Sequence, residues 1–501
     1  MDLPILIHPR DRSAIHARLT REASAFDPKT EEEVRKIIAR VRKDGDKALI
    51  HFSRKYDTHP VMFPKAMALH EDMLAQAWEQ QSPELQMALR RARARITRFH
   101  ENQRTRGFRL TEPNGNRLTQ QVFPLRSVGI YVPGGTASYP STVLMNVIPA
   151  QVAGVTEIVM VTPPSPPTAG QEATLAAAHL CGIKTVHLAG GAQAIAALAF
   201  GTETIARVDK VVGPGNRWVA TAKRLLFGQI DIDSVAGATD VLIIADDSAN
   251  PEHVAADLLA QAEHDPDAEA IVIVVGGKVI ADKIRKSLET QTKMAMRRDI
   301  MLKSLKSHAA IICVKSINDA VELANLRAPE HCQVMTQGAR AVAERIRDAG
   351  AVFVGHWTPE AMGDYVAGPN HVLPTGRTAR FSSPLGVESF IRRNQVIECT
   401  RDGFLALADT VRTLSTAEGF EAHRNSVEIR MGEIPAAGES AAKRRTAKPS
   451  PKAPKKKPAR AAAKASSRSA SKPISKASSK ASARKSEMTK PKAKSSSKRS
   501  R

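Results

Sequence analysis

The sequence predicts an α/β fold with two parallel-sheet units, on three observations. From about residue 120, short apolar runs alternate with helical patterns, and such alternation implies parallel sheets covered on both faces. These runs fall into two series, one before and one after residue 237. Glycine-bearing turns follow several of the runs in the first series, where a chain leaving a strand turns into a helix.

Each element follows from local pattern. Residues 1–110 read as mostly helical. Thr30 followed by Glu31, Glu32 and Glu33 reads as a capping box, Val34, Ile37, Ile38 and Val41 form one apolar stripe, and Gly45 ends that helix. The first series has strands at Val128–Val132, Ile158–Thr162, Thr185–Leu188 and Val208–Val212, with helices reaching about Ala153 and over 192–200 between them. The second has strands at Val241–Ala245, Ala270–Val275, Ala309–Val314 and Ala351–Val354. A helix over 251–264 is marked by Asn250 as N-cap, Pro251 in its first turn and a stripe of Val254, Leu258 and Leu259. Ligands of such sheets are expected beyond the carboxyl ends of the strands.

Composition narrows the function. The chain has 501 residues and a net charge of +23, but residues 441–501 hold 22 Lys/Arg against the single acid Glu487, which leaves about +2 for the rest. That tail is rich in Ala, Lys, Ser and Pro and almost free of large apolar residues, so it is expected to be disordered. It resembles the basic tails of histone H1-like proteins, and basic arms bind nucleic acid through phosphates without sequence choice. The four cysteines, Cys181, Cys313, Cys332 and Cys399, are scattered without metal-type spacing, which points to free thiols in a reducing compartment. Neither a signal peptide nor an apolar run of about 20 residues is visible, so a cytoplasmic protein without membrane contact is expected.

Several polar groups can carry chemistry. Arg327-Ala328-Pro329-Glu330-His331 places a carboxylate and an imidazole side by side at a corner, with Pro329 expected to hold Ala328 extended. Two adjacent proton acceptors suit a reaction that removes several protons. Gln261 and His264 lie three apart at the end of a helix, where an amide oxygen and an imidazole can share a divalent cation. Gly363-Asp364-Tyr365 and Asn370-His371 fall in a Gly/Pro-rich loop, and Glu418 to His423 adds a further carboxylate and imidazole. The turns Gly134-Gly135, Gly190-Gly191 and Gly213-Pro214-Gly215 can bring backbone N–H groups to an anion, although none completes the dinucleotide fingerprint.

Taken in order, Gly129–Gly135, Gly190–Ile195, Gly213–Asn216, Gln261–His264, Arg327–His331, Gly363–Tyr365, Asn370–Pro374 and Glu418–His423 resemble the histidinol dehydrogenases, over residues 1–435. The resemblance implies a homodimer with shared active sites that oxidises L-histidinol to L-histidine in two NAD-dependent steps through the aldehyde, the last step of histidine biosynthesis. It implies one Zn2+ per subunit on Gln261, His264, Asp364 and His423, proton acceptors Glu330 and His331, and NAD contacts at Tyr131, Gln193 and Asn216. Substrate contacts are implied at Thr239, Gln261, His264, His331, Asp364, His371, Glu418 and His423, the last two serving the neighbouring chain. Cys332 is read as packing. One stretch departs: the family usually reads Ala-Gly-Pro-Ser-Glu where this chain has Ala236-Gly237-Ala238-Thr239-Asp240. The alternative that this leaves is a related zinc/NAD dehydrogenase of another small amino or hydroxy alcohol.

The expected division is an N-terminal arm (1–25), a larger α/β domain (26–129 and 237–381), a second Rossmann-like NAD-binding domain (130–236), a C-terminal dimerisation segment (382–437) and the basic tail (438–501).

Overall fold

The computed structural model describes residues 3–21, 27–134, 138–165 and 171–432. Gly135, the end of the N-terminal arm and the whole basic tail lie outside the described residues. The chain divides into two compact units, 1–410 and 411–501, with the boundary inside helix Arg401–Ala417.

The first unit contains both parallel sheets. The larger has six strands, all parallel, in the order Ile5–Ile7, Ala310–Val314, Glu269–Val275, Asp240–Ala245, His331–Met335, Ala351–Val354. Its central strand is buried throughout, because residues alternate between two covered faces. Val241, Ile243 and Ala245 pack on the Pro251–Ala262 helix side, while Leu242 and Ile244 pack towards helix Ile317–Arg327. Each fully buried Val, Leu or Ile contributes roughly 1.5–3 kcal/mol, so this strand is a fixed frame for whatever sits at its ends.

The second sheet runs Ala68–His70, Thr185–Leu188, Glu157–Thr162, Ser127–Tyr131, Lys210–Val212, Asp231–Ile232, parallel apart from the edge strand Ala68–His70. Helices Pro28–Asp44 and Gly191–Phe200 cover one face through Val34, Ile37, Val41 and the alanines of the second helix. Helices Pro83–Glu101 and Pro140–Ala153 cover the other. A separate antiparallel sheet joins Phe108–Thr111, Arg117–Pro124 and Ile391–Glu398.

Four expectations are corrected. The helices within 26–129 share their core with the second sheet, not the larger one, because their apolar stripes face its strands. The helix that Thr30 was expected to cap begins one turn earlier: Asp27 caps it, accepting from the N–H of Lys29 and of Thr30, with Pro28 in its first turn. Ala328 is left-handed, with φ 49° and ψ 62°, and caps helix Ile317–Arg327 through its N–H to the Ala324 carbonyl. The corner Glu330-His331 is followed by a central strand, His331–Met335, that carries no apolar alternation to announce it.

In the second unit the described residues hold the end of helix Arg401–Ala417 and helix Glu421–Met431. Among the described residues, no helix is long and apolar enough to cross a membrane.

Candidate active site

Most of the candidate site residues gather because the two sheets present opposite ends to one cavity of about 1080 Å³. The second sheet offers its carboxyl ends, as expected. Gly134 follows strand Ser127–Tyr131, Gly190 and Gly191 follow Thr185–Leu188, and Gly213 to Gly215 follow Lys210–Val212. The larger sheet offers its amino ends, which corrects the expectation for that half: Thr239 precedes strand Asp240–Ala245 and Glu330 precedes His331–Met335.

On the glycine side, Gly213 has φ 112°, and a Cβ there would stand 2.0 Å from the Tyr131 carbonyl oxygen, so the position accepts no side chain. A buried ion pair holds this turn from behind. Lys223 pairs with Asp233 and donates to the Gly213 carbonyl at 3.0 Å, while Asp233 accepts from the Gly213 N–H at 2.8 Å. Asn216 caps helix Arg217–Leu226, its Oδ1 accepting from the N–H of Trp218 and of Val219. The Tyr131 hydroxyl accepts from the Gly191 N–H at 3.2 Å, and burial pushes the phenol up to about 12. Tyr131, Gln193 and Asn216 all line the cavity.

The opposite wall is polar and buried. The Thr239 hydroxyl lies 2.5 Å from Glu330 Oε2, and the Asp240 N–H donates to the same oxygen at 3.1 Å. His331 Nδ1 meets the Asp240 carbonyl at 3.1 Å, and an acceptor there requires the proton on Nδ1, leaving the Nε2 lone pair free. Asp364 Oδ1 is 3.9 Å from that Nε2. His371 is fixed alike, its Nδ1 against the Asp364 carbonyl at 3.0 Å. Burial pushes His331 down to about 3 and His371 down to about 4, so these two imidazoles stay neutral, and the desolvation of its ring lowers His264. Burial also pushes Asp364 up to about 6 and raises Glu330 well above the ordinary carboxyl range.

Thr239, His264, Glu330, His331, Asp364 and His371 therefore line one cavity with the glycine turns. Gln261 is buried behind Thr239, its amide set between the Thr239 hydroxyl at 2.6 Å and Glu360 Oε1 at 2.6 Å. Glu418 and His423 belong to the second unit, His423 on helix Glu421–Met431. Cys332 points into the core, its thiol pushed up to about 12 by burial, which agrees with a packing role.

Glu360 escaped the sequence reading. It begins the short helix Glu360–Tyr365, so it stands one turn from Asp364 and shares its face, where a loop was expected. Its carboxyl is 3.7 Å from His331 Nδ1. Among the described residues, His331, Glu360 and Asp364 form a set whose ligand atoms lie within 4.8 Å of one another. The usable signal was Pro359 before Glu360, a helix start, with carboxylates four apart.

Residues 19–431 match the family described as Histidinol dehydrogenase. The chain is 45% identical to the histidinol dehydrogenase of Aquifex aeolicus (strain VF5) over 412 residues, 82% of this chain and 95% of that one. It is 45% identical to that of Acinetobacter baylyi over 416 residues, 83% and 96% of the two chains. Among solved structures it resembles histidinol dehydrogenase from Elizabethkingia anophelis, with a TM-score of 0.80 at 34% identity, covering 86% of this chain and 98% of the other. A polar site at the amino ends of one sheet, facing glycine turns at the carboxyl ends of another, is thus carried on a fold shared with these enzymes, and the chain belongs to the histidinol dehydrogenase family.

Proposed function

We propose that this cavity is where the family's reaction, the NAD-linked oxidation of histidinol, takes place, with Glu330 and His331 as proton acceptors. The observation that carries the reading is the single cavity lined by both the glycine turns and the Glu330–His331 corner.

The donor set fits a metal. His264 and Asp364 line the cavity and Gln261 lies behind Thr239; an imidazole, a carboxyl and an amide oxygen supply lone pairs, and N/O donors of this kind suit Zn2+. The glycine turns fit a dinucleotide, since backbone N–H groups there can face phosphates. When bound, the zinc ion would order the substrate's nitrogens and NAD would take a hydride in each oxidation.

The chain's own residues do the rest. His331 Nε2 takes the proton of the alcohol, its orientation set by the Asp240 carbonyl on the far side of the ring. Glu330 accepts the proton of the water that adds to the aldehyde, and burial raises its affinity for that proton. Tyr131, Gln193 and Asn216 hold the dinucleotide, and Thr239 and His371 hold the substrate. Gln261, His264 and Asp364 bind the metal, completed by His423, with Glu418 on the substrate, both supplied by a second copy of the chain. Half-exposed Leu414, Phe420 and Ile429 in the second unit suit burial against such a copy. All four cysteines are free, which suits a reducing cytoplasm.

The test is NADH formation by zinc-loaded protein offered histidinol and a panel of other amino and hydroxy alcohols. Two NADH per histidinol and no comparable response elsewhere is the expected result. Turnover of another alcohol with none of histidinol would replace the reading by the related dehydrogenase that the Ala238-Thr239-Asp240 stretch leaves open. The basic tail has its own reading, non-specific nucleic-acid binding, supported by its 22 Lys/Arg. Removal of residues 438–501 is expected to abolish retardation of DNA and to leave turnover intact.

A further inference from the structure

The Glu330–His331 corner is held by one residue to an unusual extent. We propose that Asp240 is the positioning residue of this pair, a reading that rests on Glu330 and His331 being the proton acceptors. Four of its atoms are engaged. Its N–H donates to Glu330 Oε2 at 3.1 Å, and its carbonyl accepts from His331 Nδ1 at 3.1 Å. Its Oδ1 accepts from the Glu330 N–H at 3.2 Å, and its Oδ2 accepts from Arg327 Nε at 3.2 Å.

The two carboxylate oxygens therefore span the turn from Arg327 to Glu330, tying the end of helix Ile317–Arg327 to the start of strand His331–Met335. Between them lies Ala328, buried and left-handed at φ 49°, a conformation that costs a non-glycine residue about 1–2 kcal/mol. Such strain persists only where the surroundings hold it. The strand register explains why Asp240 can reach both residues: Val241 stands opposite His331, so Asp240 and Glu330 are neighbours at the amino ends.

Arg327, only 2% exposed, is shared with a second carboxylate. Its Nη2 lies 3.0 Å from Glu269 Oε2, and Glu269 is paired in register with Asp240 on the next strand. Glu269 also meets the part-exposed Arg21 Nη1 at 3.3 Å, so two guanidinium groups, one of them buried, face the two buried carboxylates. Glu269 is a buried acid like Asp240, but its carboxylate meets Arg21 and Arg327 and not Glu330 or His331, while its N–H donates to the Thr239 carbonyl at 3.0 Å, a bond that a side-chain substitution leaves in place. The two acids thus separate charge burial from positioning.

The experiment uses the full-length, zinc-loaded enzyme with Asp240→Asn, Glu269→Gln and Glu330→Gln. Asparagine at 240 turns an NH2 group towards one end of the turn and releases it. The expected loss is about 100-fold in kcat, since a displacement of about 1 Å costs that much, with the KM for histidinol changed less than about threefold. Glu269→Gln is expected to lower the melting temperature comparably while keeping kcat within about threefold. Equal kcat losses in the two variants, or a raised KM with kcat intact in Asp240→Asn, would overturn the positioning role. Full turnover in Glu330→Gln would instead overturn the assignment of the pair. If Asp240→Asn does not fold, Asp240→Ser removes the carboxylate and keeps a small polar side chain. A kcat lowered about tenfold or more beyond that of Glu269→Gln supports the proposal there, and a kcat within about threefold of Glu269→Gln sinks it.

Discussion

The two parallel sheets share a layout and use it differently. In each, the first strand of the series lies centrally, the next two lie to one side and the last two to the other, and a strand from earlier in the chain closes the edge. The second sheet works from its carboxyl ends, where the chain is a set of turns shaped by glycine and stiffened by one buried ion pair. The larger faces the cavity with its amino ends, where polar side chains interlock, among them Thr239, Gln261, Glu330, His331 and Glu360. A common frame therefore settles neither which end is used nor what kind of group does the work; those follow from the residues flanking the strands.

Breaking the catalytic wall should have the largest effect. His331→Asn is expected to lower kcat by about 10²–10⁴-fold in both oxidations with metal retained, read by steady-state rates and zinc content. Loss of metal in place of rate would erase the contrast between the walls. On the glycine wall, Lys223→Met leaves Asp233 buried without its cation and should destabilise the protein by about 3–5 kcal/mol, measured by denaturant unfolding. Gly213→Ala forces a Cβ against the Tyr131 carbonyl in a positive-φ position, and a loss of about 1–3 kcal/mol with weaker NAD binding is expected. Calorimetric titration with NAD reads the second part; unchanged affinity would mean that the turn is only a connection.

The smallest effect is one of pH. Buried His100, in the second sheet's half, has its basicity lowered by burial. The unfolded chain takes up a proton near pH 6.5 that the folded chain refuses until lower pH. His100 therefore costs nothing above that value, and its penalty grows as pH falls through it. His100→Gln should flatten the decline of melting temperature below pH 6.5 and leave it unchanged at pH 8.

Much of the frame was legible because it is periodic. Thr185–Leu188 and Ala351–Val354 match the expected strands in full, and Asn250 and Pro251 mark their helix as read. What was missed lacks an apolar signature. Strand His331–Met335 reads His-Cys-Gln-Val-Met, and its buried Gln333 donates its NH2 to Asp257 Oδ2 at 2.7 Å, on a helix distant in sequence, and to the Thr358 carbonyl at 3.3 Å. Strand Arg117–Pro124 is largely polar because its sheet is mostly exposed. Ala328 was misread because tertiary anchoring at Arg327 and Glu330 overrides the preference of a residue before proline. The site residues were named through resemblance; local pattern could not show that the amino ends of one sheet face the carboxyl ends of the other.

Cys332 adjoins the proposed proton acceptors Glu330 and His331 yet packs its sulfur into the core, while Cys399 is the exposed thiol of the four. An aldehyde in this cavity meets no sulfur nucleophile from that residue, so no thioester needs to be cleared before the acid is released. Electrophilic inhibitors aimed at Cys332 would accordingly find no purchase here.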